Sequence, residues 1–499
     1  MPRAGLALVA LVLLAPAVRA QCPDGSPPPC APRVARPAPT SVAVLYFENL
    51  SRDTADAYLT DGLTEELTGR LGDIERLRVS GRSAVRRAQQ AAGDDLAAVG
   101  RSLNVRYLVE GSLRRSGARV RVSARLLRAS DGVRVWGNSY DRTMTDLLAL
   151  QEDIAREVAA NVAGQLLPSE RARLAARPTD DPVAYDHYLR GAYAVGRRSA
   201  AGFQRAIAEF DLALRRDPRF AAAEARRAYA LVLAYAYGVE WPDRDSILPR
   251  AARSAARALA LDSTSADAWI ARAQVAVWLD GDLPAGLAAA RRAAAYGPRN
   301  AEAQHLLGVV LAWLAEDSAA TASFRRALAI DPLRAVTILD IAELALVARD
   351  LPVAARLLDS AIALDPEQAR PYLRRASLRL LQDDAAGAQA DAEVGLRLAT
   401  PAFRASGRSL LAAALAAHGD TARARAALDA REPRDLPSFI AVGLIAVGLA
   451  DSALAVLERA QPIAVDWYEL RLPAFDRVRA LPRFQRIVAR WRDVAQRRR

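Results

Sequence analysis

Lysine is absent from the 499-residue sequence, so the basic side chains are arginines. The formal net charge of +12 at pH 7 raises nucleic acid as a possible partner. The arginines alternate with acidic residues instead of forming one block, as at Arg423, Arg425 and Asp429. This mixture is typical of solvated helix faces, so we expect no nucleic-acid partner.

Histidine is almost absent as well, and the three that occur, His187, His305 and His418, lie far apart. The sequence contains no H-E-x-x-H, G-x-S-x-G, P-loop or dinucleotide-binding motif. We therefore expect each histidine to be an ordinary helical residue with satisfied hydrogen bonds, and we predict no catalytic residue, cofactor or metal. A site assembled from distant residues stays open at this point.

Long uninterrupted apolar runs are also missing, and the N-terminal one is shorter than the roughly 20 residues of a membrane-spanning helix. Arg3 precedes the apolar residues Ala4–Ala15, and Val18 and Ala20 occupy small-residue positions before a cleavage site. We predict that residues 1–20 are a cleaved signal peptide and that the protein is exported to the periplasm or cell envelope.

Cysteine occurs only twice, as Cys22 and Cys30, in a Pro-rich linker over residues 21–39. In an oxidising compartment the two could form a disulfide. A metal or redox pair is the alternative, but no histidine lies nearby and the spacing is not C-x-x-C.

Residues 40–170 combine strand and helix patterns. The predicted elements, in order, are strand 41–47, helix 57–71, strand 77–80, helix 94–103, strands 107–113, 119–127 and 133–140, and helix 145–167. Turn residues Gly117 and Gly132 separate the last three strands into an antiparallel meander. The order βαβαβββα predicts an α/β layer domain.

Four segments of this region carry a family resemblance. They are Ser41–Ser51, Leu59–Leu67, Val105–Arg115 and Val135–Asp141. In this order they resemble the TolB-like amino-terminal domain, which recurs in bacterial proteins joined to tetratricopeptide-repeat (TPR) arrays. Some of those proteins also carry an adenylate cyclase or CadC-type DNA-binding module. The resemblance implies a small α/β module with an ancillary interaction role and no catalytic site.

Residues 180–462 show a sequence repeat, because Pro298, Pro332 and Pro366 recur every 34 residues, the length of a TPR. The clearest unit places Leu307, Gly308, Leu311, Ala320, Phe324 and Ala327 at the motif positions. We predict seven or eight helix hairpins, with an insertion around Tyr237–Pro249. The fold class is therefore an α/β TolB-like domain followed by an all-α TPR solenoid.

The resemblance to TPR proteins implies a groove lined by the first helix of each hairpin. Mapped onto this sequence, the groove residues are Asp267, Gln274, Trp278, Glu302, His305, Trp313, Glu343 and Arg370. Trp278 and Trp313 occupy equivalent places in adjacent repeats, which would suit a binding hot spot. The alternative is that both tryptophans pack between neighbouring hairpins.

Residues 463–499 form the C-terminal region. Asp466–Leu470, Pro473–Arg477 and Leu481–Gln485 resemble the ending of TolB-like/TPR proteins, and a helix over Phe484–Val494 is predicted to cap the array. The resulting hypothesis is an exported scaffold that binds a protein partner in the TPR groove. The alternative hypothesis is a regulatory or small-ligand-sensing protein related to the adenylate cyclase and CadC-type regulators.

Overall fold

The computed structural model describes residues 40–196, 199–241, 243–429, 436–461 and 463–496. Cys22, Cys30, the predicted signal peptide and the whole predicted linker lie outside these ranges. The described chain is mostly helical, with one small mixed sheet near its beginning.

The α/β layer is built from six strands and five helices. The strands are β1 (Ser41–Val44), β2 (Glu48–Asn49), β3 (Arg78–Val79), β4 (Tyr107–Ser116), β5 (Arg119–Arg128) and β6 (Arg134–Thr143). The helices are α1 (Ala57–Gly72), α2 (Arg82–Ala92), α3 (Leu96–Leu103), α4 (Leu147–Ala163) and α5 (Pro168–Ala175). The strand order is β3-β1-β4-β5-β6, and β2 pairs with β4.

The sheet buries both faces near β1 and one face along the meander. On one face, α1 and α4 share a core with Val109, Val122 and Leu126. On the other face, Val85 of α2 and Val99 of α3 cover the beginning of β4. β1 runs parallel to its neighbours, whereas β4, β5 and β6 form the predicted antiparallel meander.

Three details of the predicted layer were wrong. Helix α2 was missed, because its buried positions are held by small residues such as Ala84 and Ala88 among arginines. The final helix ends at Ala163, where Gly164 takes a φ of 73° and interrupts it. The first strand ends at Val44 and is followed by the separate short strand β2.

The helical array contains sixteen helices within the described residues. They are α6 (Pro182–Gly196), α7 (Ala200–Arg216), α8 (Ala221–Ala236), α9 (Ile247–Leu261), α10 (Ala266–Trp278), α11 (Leu283–Tyr296), α12 (Ala301–Trp313), α13 (Asp317–Ile330), α14 (Ala335–Val347), α15 (Leu351–Leu364), α16 (Ala369–Leu381), α17 (Ala385–Leu398), α18 (Pro401–Ala417), α19 (Thr421–Asp429), α20 (Pro437–Ala446) and α21 (Ala450–Arg459). Consecutive helices pair into eight antiparallel hairpins.

The hairpins have TPR-like packing. Gly308 on α12 approaches Phe324 on α13 so closely that an added Cβ would lie 2.5 Å from the ring. The repeat motif requires a small residue at the position of Gly308 and a large one at the position of Phe324, because the two side chains meet where the helices of a hairpin pack together. The predicted insertion is present as well, because a longer connection joins α8 to α9.

Three more helices follow the array: α22 (Ala464–Glu469), α23 (Asp476–Arg479) and α24 (Pro482–Gln496). Helix α24 contains the predicted capping helix and packs against α21. Its buried Phe484, Ile487 and Trp491 extend the core of the last hairpins.

The α/β layer is docked on the first hairpin of the array, and the two belong to one compact unit. Helix α1 packs on α6, and Gly62 leaves space for Leu189. The Tyr58 hydroxyl donates to Asp186 at 2.5 Å and accepts from Arg190 at 2.7 Å. The layer therefore shields the apolar side of the first hairpin from solvent, which the terminal unit of a solenoid needs because it has no neighbouring repeat on that side.

Candidate partner-binding face

The first helix of each hairpin is called its A helix, and α10, α12, α14, α16, α18 and α20 together form a surface that we call the A face. All eight residues of the predicted groove lie on A helices of this set. Asp267, Glu302 and Arg370 lie in the first turns of their helices, and Trp278 and Trp313 end theirs. The sequence repeat thus places them on equivalent helices, while their role in binding stays a prediction.

Asp267 connects the array to the α/β layer. It forms an ion pair with Arg226 on α8 at 3.1 Å, and Arg226 contacts Glu65 on α1 at 3.2 Å. Burial favours the neutral form of Glu65, but the guanidinium groups of Arg226 and Arg82 lower its pKa overall. These two ion pairs link α1 through α8 to α10, the first helix of the A face.

The two tryptophans form part of an aromatic ladder. Trp278 packs edge-on against Trp313 with ring centroids 5.9 Å apart, and Tyr235 packs edge-on against Trp278 at 6.3 Å. Both tryptophans are partly buried and touch the hydrophobic core. They therefore pack between neighbouring hairpins and are only partly buried, while a role of the two side chains as a binding hot spot stays a prediction.

A charged cluster occupies the centre of the A face. Asp340 and Glu343 on α14 accept hydrogen bonds from Arg370 on α16 at 2.9 and 2.8 Å. His305 on α12 places its Nε2 atom 3.6 Å from Asp340 and its Nδ1 atom 3.0 Å from the Thr337 hydroxyl. Three of the predicted groove residues are thus brought together.

Burial controls the ionisation of the two carboxylates in this cluster. Burial raises the pKa of Asp340 to about 6, and the neighbouring Glu343 charge adds to the rise. Burial would raise the pKa of Glu343 too, but Arg370 and Arg374 outweigh it and lower the value to about 2. Glu343 is thus the carboxylate that stays charged.

The C-terminal segment lies on the A face. Residues 463–472, which we call the arm, lie against A helices from α12 to α20, and α22 within the arm also contacts α24. Glu469 forms a buried ion pair with Arg374 of α16, with one oxygen 3.0 Å from Nη1. Asp466 accepts hydrogen bonds from the backbone amide and the hydroxyl of Ser438 on α20, the latter at 2.6 Å.

The arm also makes apolar and main-chain contacts. The indole Nε1 of Trp467 donates to the carbonyl of Trp313 at 3.0 Å, and Arg471 donates to the carbonyl of Ala312 at 2.8 Å. Trp467 and Leu470 are buried in the same cluster as Leu311 of α12 and Leu444 of α20. The arm therefore bridges the fourth and the last hairpins across the A face.

Sequence reasoning missed the arm and its partners Arg374 and Ser438. One signal was present, since Arg374 lies one turn after Arg370 and so shares its helix face. The acidic residues Asp466 and Glu469 carried no sign of which hairpin they would contact.

Gln274, another residue of the predicted groove, has a buried side-chain oxygen with no hydrogen-bond partner among the described residues.

In the part of the chain that the structure describes, no group of three or more His, Cys, Asp and Glu side chains is arranged to hold a metal ion. The helices in that same part are all too short or too polar to cross a bilayer. His187 is paired with Glu209 at 2.8 Å, as an ordinary helical histidine would be.

One curated relative shares part of this sequence. "Putative adenylate cyclase 3" of Rhizobium meliloti (strain 1021) is 34% identical over 189 residues, which are 38% of this chain and 32% of that protein. The chain therefore spans about a third of the relative's length. No protein-family model matches the chain.

Solved structures with similarity include several TPR proteins. A thermophilic TPR protein of Thermus thermophilus is 22% identical and covers 40% of this chain and 99% of its own, with a TM-score of 0.33. PilF of Pseudomonas aeruginosa is 23% identical and covers 42% and 97%, with a TM-score of 0.31. The Cut9–Hcn1 hetero-tetramer of the APC/C is 12% identical and covers 69% and 63%, with a TM-score of 0.44. The assignment of helix hairpins rests on the packing and the 34-residue period described above.

Proposed function

We propose that this protein is an interaction scaffold that binds a protein segment on its A face. One observation carries the proposal: the A face already holds a peptide segment, the arm, through side-chain-specific contacts. Charged groups that point inward, such as Arg374 and Glu343, supply directional partners for a bound chain. An aromatic edge at Trp278 and Trp313 supplies apolar contact area beside them.

The α/β layer is the second module of this proposed scaffold. We propose that it is a TolB-like domain, on the four sequence segments given above, and that it positions the array or binds a second partner. Its docking through Tyr58, Asp186 and Arg190 supports a fixed orientation. Export by a cleaved signal peptide to the periplasm or envelope, with a Cys22–Cys30 disulfide, belongs to the same proposal.

The proposal is tested by site-specific photo-crosslinking in the native cell. A photoreactive residue replaces Val309, which is half-buried on α12 at the position equivalent to Gln274 and Glu343. The control places it at the exposed Arg325 on α13, the second helix of the same hairpin. We expect a discrete protein adduct at Val309 and none at Arg325. Adducts at both positions, or at neither, would remove the support for a binding A face.

A regulatory role is the second candidate, favoured by the 34% identity to the rhizobial relative. In that case the α/β layer would respond to a small molecule. A thermal-shift screen of the full chain with nucleotides and metabolites separates the two, because a ligand that binds only the folded state raises the melting temperature. Saturable stabilisation by one small ligand would favour the regulator, and its absence across the screen would count against it.

A further inference from the structure

The excursion between α21 and α24, which contains the arm, begins and ends at nearly the same place. Helix α21 ends just before it, and α24 starts shortly after it and packs on α21. Arg483 at the start of α24 forms a two-pronged ion pair with Glu458 at 2.7 Å, and Arg490 donates to the carbonyls of Leu457 and Glu458. The excursion that contains the arm is thus closed at its base independently of the A face.

We call the surface of α12 to α20 that contacts the arm its seat. A loop whose ends are held together can leave such a seat without unfolding α21 and α24, the two helices that hold its ends. The closure entropy of such an excursion changes little when its middle moves, because the ends stay together. The contacts that must break are those of the arm with α12 to α20 and with α24, where Arg492 lies over the Trp467 ring, together with the Arg349–Asp476 ion pair just after the arm. Such local opening would expose Trp467, Tyr468 and Leu470, which are buried when the arm is in place, so its free-energy cost is set by these contacts.

The seat selects chemistry as well as shape. The Glu469 carboxylate and the Arg374 guanidinium are both buried, with side chains 4% and 10% exposed. Asp466 accepts a hydrogen bond from the Ser438 hydroxyl, so a ligand without an acceptor at that place would leave the serine unpaired. Burial also raises the pKa of Asp466. Trp467 lies between these two acidic residues in sequence and fills the apolar part of the seat.

A small cavity lies beneath the arm. Its volume is about 20 Å³, and its lining includes Ser406 and Ser409 of α18 together with Arg374 and Glu469. That space holds about one water molecule next to polar groups. The arm therefore meets a small polar pocket as well as the hydrophobic core that buries Trp467, Tyr468 and Leu470.

We propose that the arm is a tethered ligand of the A face, and that the partner presents the same chemistry: a helical turn with an aspartate, a tryptophan and a glutamate spaced as in Asp466, Trp467 and Glu469. This inference rests on the proposed scaffold function and names the partner class for it. The partner competes with the arm for Arg374 and Ser438. Because a tethered segment acts at a high effective concentration, an untethered partner binds well only when the arm is loosened.

The test uses the full chain and a labelled peptide with the sequence of residues 463–479. The arm is loosened by the isosteric pair Asp466→Asn and Glu469→Gln, after which Arg374 still has Glu343 at 2.8 Å. We expect the peptide to bind this variant at least tenfold more tightly than it binds the wild type, measured by fluorescence anisotropy. A peptide that carries the same two substitutions is the control and should bind weakly to both.

Equal binding to wild type and variant, or no binding to a variant that melts cooperatively, would overturn the inference. Hydrogen exchange of the wild-type chain gives an independent answer. Amides of the arm should exchange faster than those of α12 and α24, and exchange of the arm only upon global unfolding would also overturn it. If the peptide fails while Val309 still crosslinks a protein in cells, the scaffold function stands and the tethered-ligand inference falls.

Discussion

Arg374 and Glu469 lie 95 residues apart in the chain and form a buried ion pair in the middle of the A face. Glu343 accepts a second hydrogen bond from the same guanidinium at 2.8 Å. One arginine therefore connects the α14 and α16 helices to the arm. Burial nevertheless raises the pKa of Glu469, because desolvation outweighs the attraction to Arg374.

Removing Glu469 should loosen the arm at a measurable cost. We expect Glu469→Ala to lower the free energy of unfolding by about 2 kcal/mol, since Arg374 keeps Glu343 but loses its charge-assisted hydrogen bonds to the arm. Urea denaturation measures the change, and a double-mutant cycle with Arg374→Met isolates the pair. Strict additivity of the two substitutions would contradict a direct interaction.

Tyr58 should contribute to the docking of the α/β layer. Tyr58→Phe removes the hydroxyl that bridges Asp186 and Arg190, so we expect a loss of about 1 kcal/mol in unfolding free energy. The matched control is Tyr296→Phe, because Tyr296 is half exposed and should change stability by less than about 0.5 kcal/mol. Similar effects at both sites would argue against the docking contact.

Two glycines should respond to alanine in opposite directions. A Cβ at Gly308 would meet the Phe324 ring at 2.5 Å, so Gly308→Ala should destabilise the protein by about 1–3 kcal/mol. Gly69 lies inside α1 with open space around it, so Gly69→Ala should stabilise by about 0.5–1 kcal/mol. Melting temperatures by circular dichroism would show the difference, and a tolerated Gly308→Ala would mean that the hairpin is looser than described.

Asp340 should make stability depend on pH. Its pKa is raised to about 6 in the folded state, so its contribution is fully present below about pH 4 and is lost as the pH rises through 6. Asp340→Asn removes this dependence while Arg370 keeps its bond to Glu343. We expect the unfolding free energy of the wild type minus that of the variant to fall as the pH rises from 4 to 7. A difference that is flat or rises with pH would contradict the burial of Asp340.

Local sequence patterns predicted most of the array and much of the α/β layer. Helix α1 was predicted within one residue, because leucines at helical spacing mark its buried face. The hairpins followed from the 34-residue period and from pairs such as Gly308 and Phe324. Helix α2 was not predicted, since alanines at its buried positions give a weak periodic signal.

The candidate site was predictable only in part. Equivalent repeat positions identified Asp267, Glu302 and the two tryptophans as residues of the A helices. The seat of the arm was not predictable, because Glu469 meets Arg374 through a contact that spans 95 residues and leaves no local pattern. Burial of the charges in the centre of the face likewise depends on how the hairpins stack, which one repeat does not encode.

The central claim is that the A face binds a peptide segment and that the arm occupies it in the free protein. It is tested most directly by a photoreactive residue at Ser377 of α16, which borders the cavity under the arm, in the purified full chain. In the wild type we predict an internal crosslink to the arm or to the residues directly after it. In the variant loosened by Asp466→Asn and Glu469→Gln, we predict that excess peptide of sequence 463–479 replaces part of this internal crosslink with a peptide adduct. No crosslink to that part of the chain, or a crosslink that the peptide leaves unchanged in that variant, would contradict the account.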